Sequence, residues 1–461
     1  YSGKPHAGDS RIWPTPEQSS YTQSSARTDN YTVSGYLNYT KSLKDIHNFS
    51  LMAGSQYDFR DYQYNSTKAY DIQPELEVIN GTTFYRGDTK REQQSLLSYF
   101  FRFNYDYKSK YMLDVNGRYD GSSKFLPENR WSFYSGASAG WRITEESFMK
   151  GIKRYVDELK LRVSYGEVGN QGGIGVYDGI QLFSYNAGSG AYIGSSNITY
   201  IAASETLVSL GRTWEKVKNY NIGLDFYALN NRLTGSFDLY MRRNNNMLTN
   251  KTYAGVLGGK APMSNDGKFE SKGYDGKINW RDKIGEVTYY LGGTITYMTN
   301  ELKSGGDETI VAGYNGTLNG HPLNSIFGYR YAGKIQNEDE LKAYKDKYLT
   351  NNSIGMPAII RLGDHMYEDV NKDGKLTSDD LVYLGSDDPK YSFSFNFGLE
   401  WNNFDFSAIF QGVGKRTIYR EIDAWKVPFK AIWLNTSNHT VGIVWSAENP
   451  SNRSPKYSHQ N

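Results

Sequence analysis

The sequence predicts an all-β protein, namely a transmembrane antiparallel β-barrel with long extracellular loops. Apolar and polar residues alternate with a period of two along most of the chain, which is typical of strands whose two faces meet different surroundings. Aromatic residues make up 15% of the chain, with 40 Tyr beside 47 Gly, while the mean hydropathy is −0.67. Short turns also alternate with long connections, which is the asymmetry of outer-membrane barrels.

The bulk composition excludes several other classes of protein. The 461 residues carry a formal net charge of +2, which gives no reason to expect a nucleic-acid or acidic partner. The chain has no cysteine, so neither a disulfide framework nor a thiol metal site is available. No window approaches the ~18 consecutive apolar residues of a membrane helix. The first residues, YSGKPHAGDS, lack the features of a signal peptide, so we expect a cytoplasmic protein or a true N-terminus further upstream.

Three segments show most clearly the alternation that predicts the strands. Residues 220–241 and 391–412 each predict a hairpin around an asparagine pair, Asn230–Asn231 and Asn402–Asn403, because Asn tolerates the positive φ of tight turns. In residues 111–120, aromatic and apolar residues alternate with a second set that is too polar to face a packed core. The members of this second set are Met112, Asp114, Asn116, Arg118 and Asp120. We count roughly a dozen such strands, most near the ~9–11 residues that cross a bilayer at a tilt.

The ends of the predicted strands distinguish the two sides of the barrel. Aromatic residues adjoin the short turns, where an interfacial girdle belongs: Tyr105, Tyr107, Tyr111, Tyr227, Trp401 and Phe404. Short turns are predicted at Lys108–Lys110, Leu229–Arg232 and Asn402–Asn403, and long connections at Gly169–Leu210, Asn244–Lys268 and Leu302–Lys390. Within the last connection, residues 337–349 are the best helix candidate, with one side formed by Leu341, Tyr344, Tyr348 and Leu349.

Soluble β-sandwich or propeller modules also alternate with a period of two and are the competing interpretation. The polar faces of successive strands carry charges, however, and no repeat of ~40–50 residues is present. The barrel is therefore favoured. Residues 1–461 are predicted to form part of a single barrel domain, with 302–390 as a long extracellular loop region.

Five stretches carry a family resemblance, in order along the chain: SFYSGASAGWRITEESFMK (132–150), LKLRVSYGEVGNQ (159–171), RTWEKVKNYNIGLDF (212–226), residues 363–412 and VWSAENPSN (444–452). They resemble successive barrel segments of the SusC/RagA family of TonB-dependent transporters. The resemblance implies a large outer-membrane barrel that is closed by an N-terminal plug and paired with a SusD-like surface lipoprotein as a lid. It also implies import of oligosaccharides or peptides, with energy relayed by the TonB complex.

The chain departs from this family pattern at both ends. No plug, no TonB-contacting segment and no final strand ending in an aromatic residue is recognisable, and roughly a dozen strands fall short of the ~22 of plugged transporters. Unpaired strand edges in lipid are prohibitive, because their backbone groups find no hydrogen-bond partner there. We therefore expect the chain to be the central part of a longer protein that supplies the missing strands.

The stretch DVNKDGKLTSDD, residues 369–380, has the ligand spacing of a calcium loop. Gly374 permits the sharp turn at the sixth position. The predicted ligands at the first, third, fifth, seventh, ninth and twelfth positions are Asp369, Asn371, Asp373, Lys375 through its carbonyl, Thr377 and Asp380. Because EF-hands normally carry Glu at the twelfth position, the match is closer to a shorter-armed, dockerin-like loop.

The flanks of this loop argue against a helix-pair switch. Pro357 and Gly363 precede it, and Gly385 and Pro389 follow it, so a long helix fits on neither side. Two interpretations stay open, a bound structural calcium ion that rigidifies the long loop, and an acidic turn without a metal. Asp379 replaces Asp380 as a ligand if the loop shifts by one residue. If calcium binds, EDTA is expected to loosen the loop without unfolding the barrel.

No other motif indicates catalysis or a cofactor. The six histidines show no metal-ligand pairing, and no nucleophile elbow, P-loop or zinc-protease motif is present, so we predict that the protein is not an enzyme. The Gly-rich stretch 166–179 is interpreted as a mobile extracellular loop. Several loop aromatics are interpreted as contacts to cargo, to the lid or within the loop: Tyr177, Phe183, Tyr185, Tyr192 and Tyr200. A passive porin and a soluble or surface calcium-dependent carbohydrate-binding protein are the alternative functions.

Overall fold

The computed structural model describes residues 20–70, 85–186, 192–193, 196–197, 200–203, 207–249, 262–348, 360–419, 444–450 and 454–456. Strands dominate this part of the chain, and its one α-helix is α1 (Glu338–Tyr348). Single 3-10 turns lie at Pro127–Asn129, Ile143–Glu145, Ser147–Met149 and Ser378–Asp380. No helix in these residues is long and apolar enough to cross a membrane.

The strands follow in chain order. They are β1 (Ser20–Leu43), β2 (His47–Tyr70), β3 (Tyr85–Tyr107), β4 (Tyr111–Ser122), β5 (Trp131–Arg142), β6 (Val156–Asn170), β7 (Phe183–Asn186), β8 (Tyr192–Ile193), β9 (Ser196–Asn197), β10 (Tyr200–Ala203), β11 (Glu215–Ala228), β12 (Leu233–Thr249), β13 (Ser264–Ile284), β14 (Val287–Ser304), β15 (Gly313–Asn315), β16 (Ser325–Tyr329), β17 (Tyr331–Lys334), β18 (His365–Tyr367), β19 (Leu381–Ser386), β20 (Tyr391–Trp401), β21 (Phe404–Gly414), β22 (Val444–Trp445) and β23 (Ser454–Lys456).

Twelve of these strands form one antiparallel sheet in the order β1-β2-β3-β4-β5-β6-β11-β12-β13-β14-β20-β21. The strands follow one another in this sheet in the same order as in the chain. The short strands of the long connections do not belong to the sheet. This meander confirms the predicted all-β antiparallel fold. The chain divides into two compact units, 1–139 with 166–216 and 251–265, and 140–165 with 217–250 and 266–461.

The strands are longer than the sequence pattern predicted. Strands β1, β2 and β3 contain 24, 24 and 23 residues, about twice the ~9–11 that cross a bilayer at a tilt. Strands β12 and β13 likewise extend over Asn244–Thr249 and Ser264–Lys268, so the expected long connection at Asn244–Lys268 is shorter than predicted. The alternation of apolar and polar residues predicts only the part of a strand that has one apolar face. The polar extensions of the strands lack this alternation, so the sequence pattern does not predict them.

The predicted short turns are all present. Leu229, Asn230 and Asn231 have φ values of 58°, 58° and 60°, and Asn402 has a φ of 51°. Asn is one of the residues that tolerates this left-handed conformation, which two-residue hairpin turns require. Aromatic residues border these turns as predicted, because Trp401 pairs directly with Phe404 across the β20–β21 turn.

In the first unit, the two faces of strands β1–β4 have opposite chemistry. One face pairs apolar and aromatic side chains across strands, for example Val33 with Tyr57 and Tyr57 with Leu97. On the other face the Arg102 Nε donates to Asp114 Oδ2 at 2.6 Å. This confirms that the polar set of residues 111–120 lies on a face of its own.

The second unit repeats this separation of faces. Arg162 donates from Nε to Asp225 Oδ2 at 2.7 Å and from Nη2 to Asp238 Oδ2 at 3.1 Å, and so joins β6, β11 and β12 on the polar face. Gly223 is the position between these carboxylates, where an added Cβ would lie 2.3 Å from Asp238 Oδ1. A glycine there leaves room for the guanidinium, so the ion pairs require it.

The connection between β14 and β20 folds around its own small core. Strands β15, β16 and β19 form one sheet in it, and β17 pairs with β18. Helix α1 confirms the helix predicted at 337–349, although Leu349 lies outside the described residues. The core of this connection, which we call the loop core, consists of Ile335, Leu341, Tyr344, Tyr348, Ile360 and Leu376.

Candidate functional site: the acidic loop and the inward face

The acidic loop, residues 369–380, is built from successive side-chain-to-backbone hydrogen bonds. The Gly374 N–H donates to Asp369 Oδ2 at 2.9 Å, and the Asp373 N–H donates to Asn371 Oδ1 at 3.0 Å. The Lys375 N–H then donates to Asp373 Oδ1 at 2.8 Å. Gly374 has a φ of +82°, which explains the glycine at the sixth position of the loop.

Asp380 closes the acidic loop. Its side chain is 0% exposed, and it accepts the backbone N–H of Val370 at 2.8 Å, of Asn371 at 3.4 Å and of Thr377 at 2.9 Å. The Thr377 hydroxyl accepts in return from the Asp379 N–H at 3.2 Å, which forms a capping box. Asp380, rather than its exposed neighbour Asp379, is therefore the carboxylate that joins the two ends of the loop.

The donor set of the acidic loop fits a hard cation in one respect. Asp369 Oδ1 is buried and has no hydrogen-bond partner in the described part of the chain. The hydroxyl of Thr377 and both oxygens of Asp380 are already used within the loop. Across the described residues, no group of three or more His, Asp or Glu side chains is arranged to hold a metal ion. Any cation here would thus rely on Asn371 and on carbonyl oxygens as well as on carboxylates.

Strands, not helices, flank the acidic loop, as the interrupted flanks predicted. Strand β18 ends at Tyr367 and β19 begins at Leu381. Between them, Leu376 is 2% exposed and packs in the loop core, so the acidic loop is attached to α1 by an apolar contact. The Tyr367 N–H also donates to the Tyr344 hydroxyl at 2.9 Å. Burial raises the pKa of Tyr344 to about 12, so it remains a neutral phenol at physiological pH.

A cavity of about 740 Å³ lies between α1 and the acidic loop. Its floor is aromatic, with Tyr344, Tyr348 and Tyr367, and Asp369 lies on its wall.

Burial and the nearby Lys334 ammonium lower the pKa of His365, although Asp364 opposes this change. His365 Nε2 is buried without a hydrogen-bond partner among the described residues, so the surroundings of this side chain accommodate the neutral imidazole.

The Gly-rich stretch 166–179 differs from its predicted structure. Its first part, up to Asn170, belongs to strand β6. The remainder is tied down, because the Tyr177 hydroxyl accepts from the Gln93 N–H at 3.1 Å and Arg212 Nη1 donates to Asp178 at 2.8 Å. Tyr177 therefore holds the loop, while the side chains of the other predicted loop aromatics lie outside the described residues: Phe183, Tyr185, Tyr192 and Tyr200.

The histidines are dispersed as the sequence predicted. His47 shares a hydrogen bond of 2.8 Å between Nδ1 and the Tyr105 hydroxyl, and His321 packs edge-on against Phe327. His6, His439 and His459 lie outside the described residues. The described ones serve local packing.

The polar face of β1–β4 forms a concave site that the sequence pattern did not predict. This polar recess has a volume of about 260 Å³ and includes Asn30, Thr32, Asp58, Arg60 and Gln94. In the sequence, each of them is only one polar position of an alternating strand. They come together through strand pairing, so only the correct pairing of β1 with β2 and β3 would have found them.

Comparison with known proteins gives the family. Residues 1–428 match the family model described as TonB dependent receptor-like, beta-barrel. The chain is 26% identical over 91% of its length to TonB-dependent receptor P26 of Formosa agariphila, and 27% identical over 82% of its length to TonB-dependent receptor SusC of Bacteroides thetaiotaomicron. Solved structures of the RagAB peptide transporter and of its open-open state share the fold, with TM-scores of 0.76 and 0.78 at 20% and 19% identity over 95% and 98% of this chain.

The relatives are much longer proteins. The chain spans 42% of the P26 receptor and 37% of SusC. It spans 47% of the matched chain in each of the two RagAB structures. The family match over residues 1–428 favours the barrel transporter over a soluble or surface calcium-dependent carbohydrate-binding protein. The chain belongs to the TonB dependent receptor-like, beta-barrel family, whose members are outer-membrane receptors and transporters and not enzymes.

Proposed function

We propose that the protein is the barrel subunit of an active nutrient importer that takes up oligosaccharides or peptides across the outer membrane. The observation that carries this proposal is the polar face of the sheet, which we call the inward face. Arg–Asp pairs such as Arg102–Asp114 and Arg162–Asp225 lie on it in several strands. Ion pairs on that face suit a lumen that holds polar cargo and a plug, whereas the aromatic face suits lipid. Relatives named SusC and RagAB support import, since the latter is described as a peptide importer.

The proposed partners are a SusD-like surface lipoprotein and the TonB complex. The lipoprotein would close the mouth of the barrel, where the connection between β14 and β20 presents its own folded core. The TonB complex would act through parts of the protein outside this chain. A passive porin is the rival function, because a porin needs neither a lid nor an energy supply.

Native purification of the full-length protein from detergent-solubilised outer membranes tests the proposal. We expect a lipoprotein to accompany it in equal amounts, and uptake of the cargo to stop when the proton-motive force is collapsed. A barrel that purifies alone, and whose uptake continues without the proton-motive force, would identify a porin instead.

We also propose that the acidic loop holds one structural calcium ion. The buried and unpartnered Asp369 Oδ1 supports this, because a desolvated carboxylate oxygen without a hydrogen bond is costly unless a cation satisfies it. The ion would cross-link Asp369, Asn371 and Asp373 and so fix the position of Leu376 in the loop core. The role is structural, with no part in moving the cargo.

Terbium luminescence tests the calcium proposal. Tb³⁺ in the acidic loop should be sensitised by the tyrosines that border the same cavity, and Ca²⁺ should displace it. Asp369→Asn should abolish the signal, while Asp379→Asn, a matched change at an exposed carboxylate, should keep it. The absence of a calcium-displaceable signal, together with a limited-proteolysis pattern that EDTA does not change, would favour the metal-free turn.

A further inference from the structure

We propose that the polar recess on the inward face of β1–β4 binds a sugar residue, so that the imported cargo is an oligosaccharide. This inference rests on the proposed import function and names the class of its cargo. The recess is the concave site of about 260 Å³ whose inward-facing side chains belong to Asn30, Thr32, Asp58, Arg60, Gln94, Leu96 and Ser122.

Strand pairing arranges these side chains in two parallel rows. Thr32 pairs with Asp58, Asp58 with Leu96 and Leu96 with Ser122, which forms the first row across four strands. Asn30 pairs with Arg60 and Arg60 with Gln94, which forms the second row two residues further along. Neighbouring strands lie about 4.8 Å apart, and positions two residues apart on a strand about 6.7 Å, so the rows form a compact polar floor.

A loop residue forms a wall of the recess. The Ser122 hydroxyl donates to Gln171 Oε1 at 2.6 Å, and Lys124 Nζ donates to the carbonyls of Gln171 at 3.4 Å and Ile174 at 2.9 Å. Gln171 is thereby held against the end of β4. The recess thus exists before any ligand arrives, which lowers the entropic cost of binding.

The floor combines an oriented acceptor with available donors. Asp58 accepts from the Thr32 hydroxyl at 2.7 Å and from Gln56 Nε2 at 2.8 Å, which fixes its carboxylate in place. The Arg60 guanidinium stacks over the Tyr62 ring at 5.9 Å and makes no ion pair with any described residue. Within the described chain, the side chains of Asn30 and Gln94 also make no hydrogen bond, so their amides can bind a ligand.

This set of groups favours a ligand dense in hydroxyls. Asp58 and Arg60 lie side by side with opposite charges, so the floor of the recess offers both an acceptor and a donor. A carboxylate accepts and a guanidinium donates several hydrogen bonds, which matches the adjacent hydroxyls of a sugar. Leu96 is the single apolar side chain on the floor, so a peptide side chain would find no apolar pocket here. The volume is below the ~300–1,000 Å³ of drug-sized ligands, which suits one sugar residue of a longer chain.

The position of the recess along the strands suits cargo that enters from the long-loop side. Asp58 follows His47, the first residue after the short turn, by about 36 Å of strand at ~3.3 Å per residue. At a tilt near 40°, this distance corresponds to a height of about 28 Å, beyond the ~25 Å apolar band of an outer-membrane barrel. The recess therefore faces cargo before it reaches the middle of the lumen.

Native mass spectrometry of the small molecules that purify with the full-length protein tests this inference. The probe is the endogenous cargo released by heat from the protein and its lipoprotein. We expect wild-type protein to release oligosaccharides, and Arg60→Gln to release about tenfold less, since losing a hydrogen bond from a charged group costs about 1.5 kcal/mol. Asn104→Ala, an inward-facing change nearer the short turn, should release the wild-type amount.

The other outcomes separate this inference from the proposed function. A complex with its lipoprotein that releases peptides, or no sugar, overturns the sugar recess and leaves import intact. Equal amounts of sugar from wild type and from Arg60→Gln also overturn it, as does a loss of thermal stability in this variant without a loss of sugar. If Arg60→Gln fails to fold, as judged by heat-dependent gel migration, Gln94→Ala takes its place. A protein without a lipoprotein and without cargo instead contradicts the importer itself.

Discussion

Two regions of the second unit use aromatic residues in opposite ways. In the β20–β21 hairpin, aromatic rings point away from the protein, so that Phe395 is 47% exposed and Phe410 is 61% exposed. In the connection between β14 and β20, Tyr344 and Tyr348 are buried together, with ring centroids 4.9 Å apart. Strand and loop therefore differ in the medium that surrounds an aromatic ring, which is lipid for the hairpin and protein for the loop core.

This difference determines what stabilises each region. The hairpin is held by its backbone ladder, which pairs all residues from Tyr391 with Gly414 to Trp401 with Phe404, and by lipid on its apolar face. The connection instead depends on a small hydrophobic core of its own. Changes in the loop core should loosen the loop and leave the barrel intact, whereas changes on the apolar strand face should act on the barrel.

The largest expected effect is in the loop core. Leu376→Ala should destabilise the connection by about 2–5 kcal/mol, because it leaves a cavity beside Ile335, which is 0% exposed. Limited proteolysis should then cut within residues 305–390 while the barrel keeps its heat-dependent gel migration. Leu384→Ala, a change at an exposed leucine of β19, is the matched control and should have little effect. Loss of the barrel in Leu376→Ala would contradict the independence of the loop core.

A lysine should destabilise the barrel more on the apolar face of β20 than on its inward face. Phe395→Lys should destabilise the full-length barrel in lipid by about 2–4 kcal/mol, because it moves an ammonium into the apolar band. Ser394→Lys, one position away on the inward face, should cost much less. Urea unfolding in lipid vesicles measures both variants, and equal losses would refute the assignment of the two faces.

The smallest expected effect is a pH dependence of the loop. Because burial and Lys334 lower the pKa of His365 below its ordinary value of about 6.5, the unfolded loop binds the proton more readily than the folded one. The contribution of His365 to loop stability is therefore complete above pH 6.5 and is lost as the pH falls. Proteolysis of the connection should be faster at pH 5.5 than at pH 7.5, and His365→Phe should reduce this difference. If His365→Phe keeps the full difference in proteolysis rate between the two pH values, another titratable group causes that difference.

Some features were predictable because they depend on local pattern. The alternation of Phe393, Phe395 and Phe397 with serine and asparagine predicted a strand with two faces, and the asparagine pair at 402–403 predicted its turn. The spacing of Asp369, Asn371 and Asp373 likewise predicted a tight turn around Gly374. Neighbours in sequence determine these features, so a single chain displays them.

Other features depend on contacts between distant residues. The pairing of Thr32 with Asp58 and of Arg60 with Gln94 creates the polar recess, and no local pattern encodes that pairing. The attachment of Leu376 to α1 is likewise a contact across the connection. The full length of β1 was missed because its outer part carries polar residues on both faces, which removes the period of two.

Spin labelling of β20 tests the central claim, the separation of a lipid face from a lumen face, most directly. The chain has no cysteine, so single cysteines at positions 392 to 397 can each carry a label in the full-length protein, with any cysteine elsewhere removed. Labels at 393, 395 and 397 should be relaxed by oxygen dissolved in the lipid, and labels at 392, 394 and 396 by a water-soluble nickel complex. A uniform response along these positions, or the reverse alternation, would contradict the account.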